Sequence, residues 1–165
     1  MLDCFFRKDL LLKYYKKCGI KIGENPRIFS NILTTEPYLI EIGDNVTISN
    51  NVQLITHDNS IIKALPGVTD IFGRVKIGNN CFIGARSIIM YGCELADNTI
   101  VASGSVVTKS VKEPGKIVAG NPARVVGDVK SFADKYADVA VNIKGLSAEE
   151  KYDLLVNQEK GLVRK

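Results

Sequence analysis

The sequence predicts an all-β solenoid, a parallel β-helix built from hexapeptide repeats. Three observations support this: an aliphatic residue opens each hexad, small residues often follow it, and small or β-branched residues occupy the fifth position. The aliphatic position recurs at Ile42, Ile48, Leu54, Ile77, Ile83, Ile89, Leu95, Val101 and Val107. A helix would spread a six-residue period around its circumference, and a half-buried strand would repeat every two residues. A period of six is instead typical of β-helix repeats.

Three hexads are expected to form one triangular coil, so that residues 18 positions apart stack. Ile77 would then lie on Leu95, and Ile83 on Val101. Successive coils would hydrogen-bond like neighbouring strands, about 4.7–4.9 Å apart. The corners need residues that tolerate tight turns, and the sequence supplies Gly78, Asn79, Asn80, Gly84, Gly92, Asp97 and Asn98.

The first element is a helix predicted over residues 1–20 and ending near Cys18. Basic residues alternate there with apolar and aromatic ones. One interpretation is a cap, because terminal repeats of a solenoid need covering. The alternative is a helix that lies on a membrane surface and is attracted to anionic lipid. The basic residues concerned are Arg7, Lys8, Lys13, Lys16, Lys17 and Lys21, and the apolar ones include Phe5, Phe6, Leu10, Leu11, Leu12, Tyr14 and Tyr15.

The coils follow over residues 22–127, with two interruptions. The stretch TTEPYLIE contains a two-residue slip in the hexad phase, and residues 60–76 break the phase and contain Pro66 and Gly67. We expect residues 60–76 to leave the coil as a loop.

The last element is a C-terminal helical tail over residues 128–165. Ser147 and Glu150 form a capping-box pattern, which predicts a short helix through about Gln158. The tail is expected to pack along or over the solenoid. A chain of 165 residues is expected to form a single domain.

Composition narrows the functional class. The net charge of +4 says little about nucleic acid, no nucleic-acid recognition motif is present, and neither GxxxxGK[ST] nor GxGxxG occurs. The amino terminus differs from a signal peptide, and no apolar stretch is long enough to span a bilayer, so a cytoplasmic location is expected. The cysteines, Cys4, Cys18, Cys81 and Cys93, lack metal-type spacing. Cys81 and Cys93 are expected to be reduced core thiols.

Two segments together resemble the left-handed β-helix acyltransferases of the hexapeptide-repeat family. They are VTISNNVQLITHDNS and IGNNCFIGARSIIMYGCELADNTIVASGSVVTKSVKEPGKIVAGNPARVV. Within that family they are most similar to O-acetyltransferases of galactosides, maltose, xenobiotics and surface polysaccharides. The resemblance implies a homotrimer with acetyl-CoA, the acyl donor, in a groove between subunits, and acetyl transfer to a hydroxyl or amino group. It implies no metal.

The resemblance places the catalytic base at His57, the only histidine of the chain. An imidazole can take a hydroxyl proton near neutral pH and return it to a departing thiol. A single histidine excludes a zinc carbonic anhydrase of this fold, which needs three. Glu36 and Asp58 are the candidates to orient the ring, each with a turn-forming role as the alternative. Asn31 and Glu36 are acceptor-site candidates. Because the loop of residues 60–76 follows directly after His57, we expect it to wall the acceptor side of the site and to fix which acceptor group reacts.

The donor site is expected at a second set of residues. The pantetheine of CoA needs a backbone that it can approach closely, and its phosphates need cations. The resemblance assigns the donor site to Ala85, Ser103, Gly104, Thr108, Lys109 and Arg124. A second basic residue found three positions beyond the NPAR arginine in some relatives is replaced by Gly127.

The sequence thus predicts an acetyl-CoA-dependent O-acetyltransferase that acts on a sugar hydroxyl in surface polysaccharide assembly. The alternatives are an N-acetyltransferase on an amino sugar, a drug-modifying acetyltransferase, and a non-enzymatic β-helix scaffold.

Overall fold

The structure is a computed structural model that describes residues 2–163, with side chains from residue 10 onward. Cys4, and the residues Phe5, Phe6, Arg7 and Lys8 of the predicted amphipathic pattern, therefore lie outside the described side chains. The chain divides into two compact units, one up to Val129 and one from Lys130 onward. The expectation of a single domain, with the tail packed on the coils, stays a prediction.

Short strands make up most of the first unit. A helix, α1 (Leu2–Cys18), precedes them. In chain order the strands are β1 (Lys21–Ile22), β2 (Arg27–Ile28), β3 (Ile40–Ile42), β4 (Thr47–Ile48), β5 (Gln53–Leu54), β6 (His57–Asp58), β7 (Ile71–Phe72), β8 (Val75–Ile77), β9 (Phe82–Ile83), β10 (Ile88–Ile89), β11 (Glu94–Leu95), β12 (Ile100–Val101), β13 (Val106–Val107), β14 (Lys116–Gly120) and β15 (Ala123–Asp128).

Successive strands join three sheets in rotation. The first sheet has the order β1-β3-β8-β11, the second β15-β14-β12-β9-β4-β2, and the third β13-β10-β5. All pairs in them are parallel except β14 with β15. Ile77 pairs with Leu95, Ile83 with Val101, and Ile89 with Val107. The predicted stacking of residues three hexads apart is thereby confirmed.

The core lies between the three sheets and is built from two positions of each hexad. Every aliphatic residue that opens a hexad is buried, and so is every residue at the fifth position. Cys81 and Cys93 occupy that fifth position as free, buried thiols, as predicted. Burial raises the pKa of the Cys81 thiol to about 11, so it packs as a small apolar side chain.

The corners follow the predicted turn residues. Asn45, Asn80 and Asn98 adopt positive φ in successive coils. Gly84 is needed for another reason: a Cβ at this position would lie 2.5 Å from the backbone nitrogen of Ser103. The coils can approach at ladder distance there only because residue 84 has no side chain.

The phase slip is present, and it is produced by a short 3₁₀ turn at Pro37–Leu39. Lys21 pairs with Glu41, 20 residues later, which is two more than three hexads. The loop begins and ends earlier than predicted. Ile40 pairs with Val75, and Val75 is fully buried, so residues 75 and 76 belong to the coil and not to the loop.

The loop is a hairpin in which β6 and β7 pair antiparallel. The Gly73 N–H donates to the Thr56 carbonyl at 2.9 Å, and this bond closes the base of the hairpin against the coil. Ser60–Lys63 forms a 3₁₀ turn within it. His57 is thus the first residue of the hairpin.

One face of α1 packs against the first coil. Tyr15 is buried, and its hydroxyl accepts the Ile32 N–H at 2.9 Å, which satisfies a backbone donor at the open end of the solenoid. Leu10 and Tyr14 lie on a different face of α1 and are exposed. The cap interpretation therefore describes one side of α1 only.

The chain leaves the coils through the antiparallel β14 and β15, joined across a cis Asn121–Pro122 bond. Two helices follow: α2 (Val129–Tyr136) and α3 (Ala148–Tyr152). The predicted capping box is present, with the Ser147 side chain accepting the Glu150 N–H. The helical path then continues as a π turn at Asp153–Asn157, close to the predicted end at Gln158. Among residues 2–163, no helix is both long and apolar enough to span a bilayer.

Candidate functional site

His57 lies at a corner of the coil, three residues after β5. Its side chain is 40% exposed, so the ring is accessible to a small molecule. The Phe72 ring lies 6.0 Å away, measured between ring centroids, on the paired strand of the hairpin. The corner and the hairpin together fix the position of the imidazole.

Glu36 holds one side of that imidazole. Its Oε2 lies 2.8 Å from His57 Nδ1, and its side chain is only 12% exposed. The two residues meet because the phase slip brings the segment before Ile40 to the corner of His57 one coil below. Of the two candidates for orienting the ring, the structure brings Glu36 to it.

A set of threonine hydroxyls surrounds the Glu36 carboxylate. The Thr56 hydroxyl donates to Oε2 at 2.8 Å, and the Thr35 hydroxyl donates to Oε1. Thr34 Oγ1 accepts the Glu36 N–H at 3.1 Å and lies 2.6 Å from Thr56 Oγ1. Because Thr56 donates its proton to Glu36, the Thr34 hydroxyl donates to Thr56. The result is a closed ring of hydrogen bonds around the carboxylate.

This arrangement favours the ionised carboxylate. The hydrogen bond from Thr35 contributes most to lowering the pKa of Glu36, and bonds from Thr56 and His57 add to it against the opposing effect of burial. An ionised carboxylate can only accept, so His57 Nδ1 is the donor in the shared bond. The neutral ring then carries its free lone pair on Nε2.

Asp58 has a different role in the structure. Its Oδ1 accepts the Ser60 N–H at 2.8 Å, and its Oδ2 accepts from the Tyr91 hydroxyl at 3.4 Å. The bonds from Ser60 are the largest cause of its lowered pKa. Asp58 thus closes the turn after His57, the alternative that the sequence left open.

A cleft of about 590 Å³ opens beside His57. Asn31, the acceptor-site candidate, lines it and is exposed. Its other walls are mostly apolar and come from α1 and from residues 32–37, with Leu11, Tyr14, Leu33 and Pro37 prominent. Among residues 10–163, His57 is the only member of the hairpin that lines this cleft, and the role of residues 60–76 as a wall on the acceptor side stays a prediction.

The predicted donor residues lie in two places. Ala85, Ser103 and Gly104 form a column at the corner between the second and third sheets, where the Gly104 N–H donates to the Ala85 carbonyl at 2.8 Å. Lys109 and Arg124 line one cleft of about 620 Å³, and Thr108 is exposed beside Lys109. The structure therefore brings the two basic residues together and the three column residues together, but the two groups lie apart on one chain.

Lys109 shares the corner of His57. Leu54 pairs with Ile89 through β5 and β10, and Ile89 pairs with Val107 through β10 and β13. Counting two residues beyond each strand places Thr56 and Lys109 in one column, two coils or about 10 Å apart. A cation thus lies on the surface that leads away from the proposed base.

The threonines around Glu36 were missed by the sequence reasoning. Thr34 and Thr35 lie in the phase slip, where stacking by three hexads does not apply: Thr34 meets Thr56 at a separation of 22 residues. The sequence offered one signal: the TTE motif at residues 34–36 lies about one coil before the THD motif at residues 56–58. Within residues 2–163, no group of three or more His, Cys, Asp or Glu is placed to hold a metal ion.

Several known proteins are similar to this chain in sequence. A bacterial transferase hexapeptide (six repeats) model matches residues 74–109. Protein CapG of Staphylococcus aureus is 38% identical over 160 residues, covering 93% of this chain and 92% of CapG. Galactoside O-acetyltransferase of Escherichia coli is 33% identical over 119 residues, covering 72% of this chain and 58% of that enzyme.

A solved structure is similar as well. The hexapeptide-repeat acetyltransferase of Vibrio cholerae, in complex with acetyl-CoA, superimposes with a TM-score of 0.59 and 29% identity. The match covers 67% of this chain and 61% of the Vibrio chain. This chain thus spans nearly all of CapG but about 60% of the two named acetyltransferases.

Parallel hexapeptide coils, together with relatives that are named acetyltransferases, identify this protein as an enzyme that transfers acyl groups. With a relative matched over nearly its whole length, the chain belongs to the hexapeptide-repeat acyltransferase family.

Proposed function

We propose that this protein is an acetyl-CoA-dependent O-acetyltransferase that moves an acetyl group to a sugar hydroxyl during surface polysaccharide biosynthesis. The observation that carries the proposal is the 2.8 Å contact between Glu36 Oε2 and His57 Nδ1, which leaves Nε2 as the base. The named acetyltransferases of galactosides and the acetyl-CoA complex among the relatives support the donor and the acceptor class.

The reaction is a direct transfer. His57 Nε2 takes the proton of the acceptor hydroxyl as the oxygen attacks the thioester carbonyl carbon. The C–O bond forms, the C–S bond breaks, and the imidazolium returns the same proton to the departing thiolate. Glu36 stabilises the transient positive charge through its bond to Nδ1–H. General-base catalysis of this kind contributes about 10²–10⁴ in rate.

The placement of the base favours a hydroxyl acceptor over an amine. A neutral amine attacks a thioester without prior removal of a proton, whereas an alcohol gains much more from a base in the transition state. The hydrogen bonds from Thr35, Thr56 and His57 that favour an ionised Glu36 would be a costly arrangement for a reaction that needs no base. N-acetyl transfer to an amino sugar or a drug remains the second candidate.

The donor is proposed to bind along the corner column and the basic cleft. Ala85, Ser103 and Gly104 present backbone that pantetheine can approach closely, and Lys109 and Arg124 supply positive charge for phosphates. The finer features of the family are proposals here as well: left-handed coils, a homotrimer with donor sites between subunits, and a cytoplasmic location.

The experiment that tests the function is an acceptor screen with acetyl-CoA. Hexosides and amino sugars are incubated with the protein, and products are scored as O-acetyl or N-acetyl by mass and by resistance to mild base. O-acetylated hexoside supports the proposal. If only N-acetylated product forms, the protein is the N-acetyltransferase of the second candidate.

A binding measurement separates an enzyme from a scaffold. At acetyl-CoA a hundredfold above its Kd, linkage predicts about 2.7 kcal/mol of added stability. A melting temperature that does not respond to acetyl-CoA, together with no acetylated product, favours the β-helix scaffold.

A further inference from the structure

Apolar side chains form most of the surface of the cleft beside His57. Its walls include Leu11, Tyr14, Leu33 and Pro37, and the side chain of Leu33 is 85% exposed. Sugars are recognised mainly through hydroxyl groups, which pair with polar side chains. Apolar walls next to the base therefore point to an acceptor that carries an apolar portion.

The apolar surface continues from the cleft onto α1. Tyr14 and Leu11 line both the cleft and an adjoining exposed strip of α1, which we call the α1 strip: Leu10, Leu11, Lys13, Tyr14 and Lys17. Leu10 is 70% exposed and Tyr14 is 60% exposed, so this side of the helix is not used to cap the coils. Residues three and four apart share a helix face, which places the two lysines beside the two apolar side chains.

The charge of α1 selects the kind of surface that this strip fits. Residues 10–18 include three lysines, Lys13, Lys16 and Lys17, and no acidic residue. Exposed Leu10 and Tyr14 beside Lys13 and Lys17 give this face both apolar contact and positive charge, the two attractions that an anionic lipid interface offers. A face that met only neutral protein would gain nothing from this run of lysines.

We infer that the acceptor is a saccharide carried by a lipid in an anionic membrane surface, and that the α1 strip contacts that surface. This inference rests on the proposed function. Leu10 and Tyr14 enter the interface, Lys13 and Lys17 contact anionic headgroups, and the cleft holds the apolar linkage while the sugar reaches His57. The acetylated hydroxyl then comes from a glycolipid and not from a free sugar.

Vesicle binding tests the contact without any turnover. Phosphatidylcholine vesicles, with and without phosphatidylglycerol, are floated with the wild type, with Lys13→Gln/Lys17→Gln, and with the matched control Lys144→Gln/Lys151→Gln, which removes the same charge from exposed positions of the second unit. The wild type and the control should bind the anionic vesicles, and the α1 variant should bind at least about tenfold more weakly. Equal binding by all three proteins, or no binding by any, overturns the inference.

The apolar part is tested by Leu10→Ser/Tyr14→Ser, with the melting temperature checked against the wild type. This variant should lose the vesicle binding that remains at high salt, where lysine attraction is screened. If light scattering instead shows that the variant has lost an oligomeric state of the wild type, and the wild type does not bind vesicles, a second copy of the chain covers the α1 strip and the inference is wrong.

A pair of acceptors separates this inference from the proposed function. A methyl hexoside in solution and a dodecyl hexoside of the same sugar in anionic vesicles are acetylated side by side. The wild type should prefer the vesicle-borne sugar by at least about tenfold in kcat/KM, and Lys13→Gln/Lys17→Gln should lose that preference. Equal use of both sugars overturns the inference and leaves the O-acetyltransferase intact. Acetylation of neither, with vesicle binding as expected, overturns the proposed function and supports the lipid contact.

Discussion

At the scale of single residues, the proposed chemistry depends on how one imidazole is held. Glu36 accepts the Nδ1 proton of His57, so the basic lone pair is directed away from the carboxylate. The hydroxyls of Thr35 and Thr56 also donate to Glu36, which keeps it from turning toward solvent. The tautomer of His57 is thus fixed by the Glu36 carboxylate and by the two hydroxyls that hold it.

The first prediction concerns His57→Asn. The amide keeps a polar group of similar reach but cannot take a proton, so acetyl transfer should fall by about 10²–10⁴. Acetyl-CoA binding, measured by calorimetry, should change little because the role of the ring is confined to proton transfer. Wild-type turnover by this variant on a verified acceptor is the result that excludes His57 as the base.

The second prediction concerns Glu36→Gln and follows from the lowered pKa of Glu36. A carboxyl group with a lower pKa in the folded than in the unfolded state stabilises the fold above its ordinary pKa of about 4.3. That contribution is lost as the pH falls through the lowered folded-state value. The melting temperature of the wild type should therefore drop more steeply on acidification below about pH 5 than that of Glu36→Gln.

The matched control for this prediction is Glu94→Gln, because Glu94 is exposed on β11. Its acid profile should follow the wild type. Glu36→Gln should also lose acetyl-transfer rate at neutral pH, since a neutral amide cannot stabilise an imidazolium. Parallel acid profiles for the wild type and Glu36→Gln would show that the carboxylate is not held as described.

At the scale of elements, the regular coils could be predicted because one rule sets every position. Ile83 is buried above Ile48 and below Val101 because each opens a hexad, and three hexads close a coil. Gly84 follows from the same rule, since the coils meet closely there. Side-chain packing repeated at a fixed interval is visible in sequence.

The site could be predicted only in part because it lies where the interval fails. The phase slip made Glu36 a candidate partner of His57, but the choice of Glu36 over Asp58 depends on the 3₁₀ turn at Pro37–Leu39, which sets their offset of 21 residues. The early end of the loop has the same origin: Val75 opens no hexad, yet it pairs with Ile40 through β3 and β8. The role of Tyr15 depends on a single hydroxyl that reaches the Ile32 N–H.

The third prediction concerns the hairpin that begins at His57. Ser60–Asp70 lies beyond the pairs that His57 and Asp58 make with Phe72 and Ile71, and it exposes Ile62, Leu65 and Val68. Replacing Ser60–Asp70 by a short Gly/Ser turn keeps the paired base of the hairpin. We expect kcat/KM for the acceptor to fall by roughly tenfold or more, since those apolar side chains would each bury on contact with it.

The KM for acetyl-CoA should stay unchanged in this loop variant, because the donor residues lie at other positions of the coils. Steady-state kinetics with each substrate varied in turn give both values. An equal loss for both substrates would show that the loop also contacts the donor. Full activity would show that the loop contacts neither substrate.

At the scale of the whole molecule, the functional groups occupy two corners of one solenoid. His57 and Lys109 share the corner between the third and first sheets, and the column of Ala85 and Ser103 lies at the other end of the third sheet. A ligand that contacts both must cross the outer face of that sheet. A second solenoid placed against this face would convert it into a groove, which is the geometry that the family resemblance implies.

The last prediction tests that assembly together with the donor site. Lys109→Ala/Arg124→Ala removes two of the four cations that line one cleft. A charge-assisted hydrogen bond to a phosphate contributes about 1.5–3 kcal/mol when well formed, so the KM for acetyl-CoA should rise by roughly tenfold or more. The melting temperature without ligand should hardly change, because exposed charges contribute little to folding stability. Lys130→Ala/Lys144→Ala is the matched control and should leave the KM as it is.

Light scattering should give the mass of a trimer for all three proteins, since neither pair of lysine or arginine side chains is needed for the coils to stack. If the active protein is a monomer and still binds CoA, the whole donor site lies on one chain and the predicted assembly is wrong.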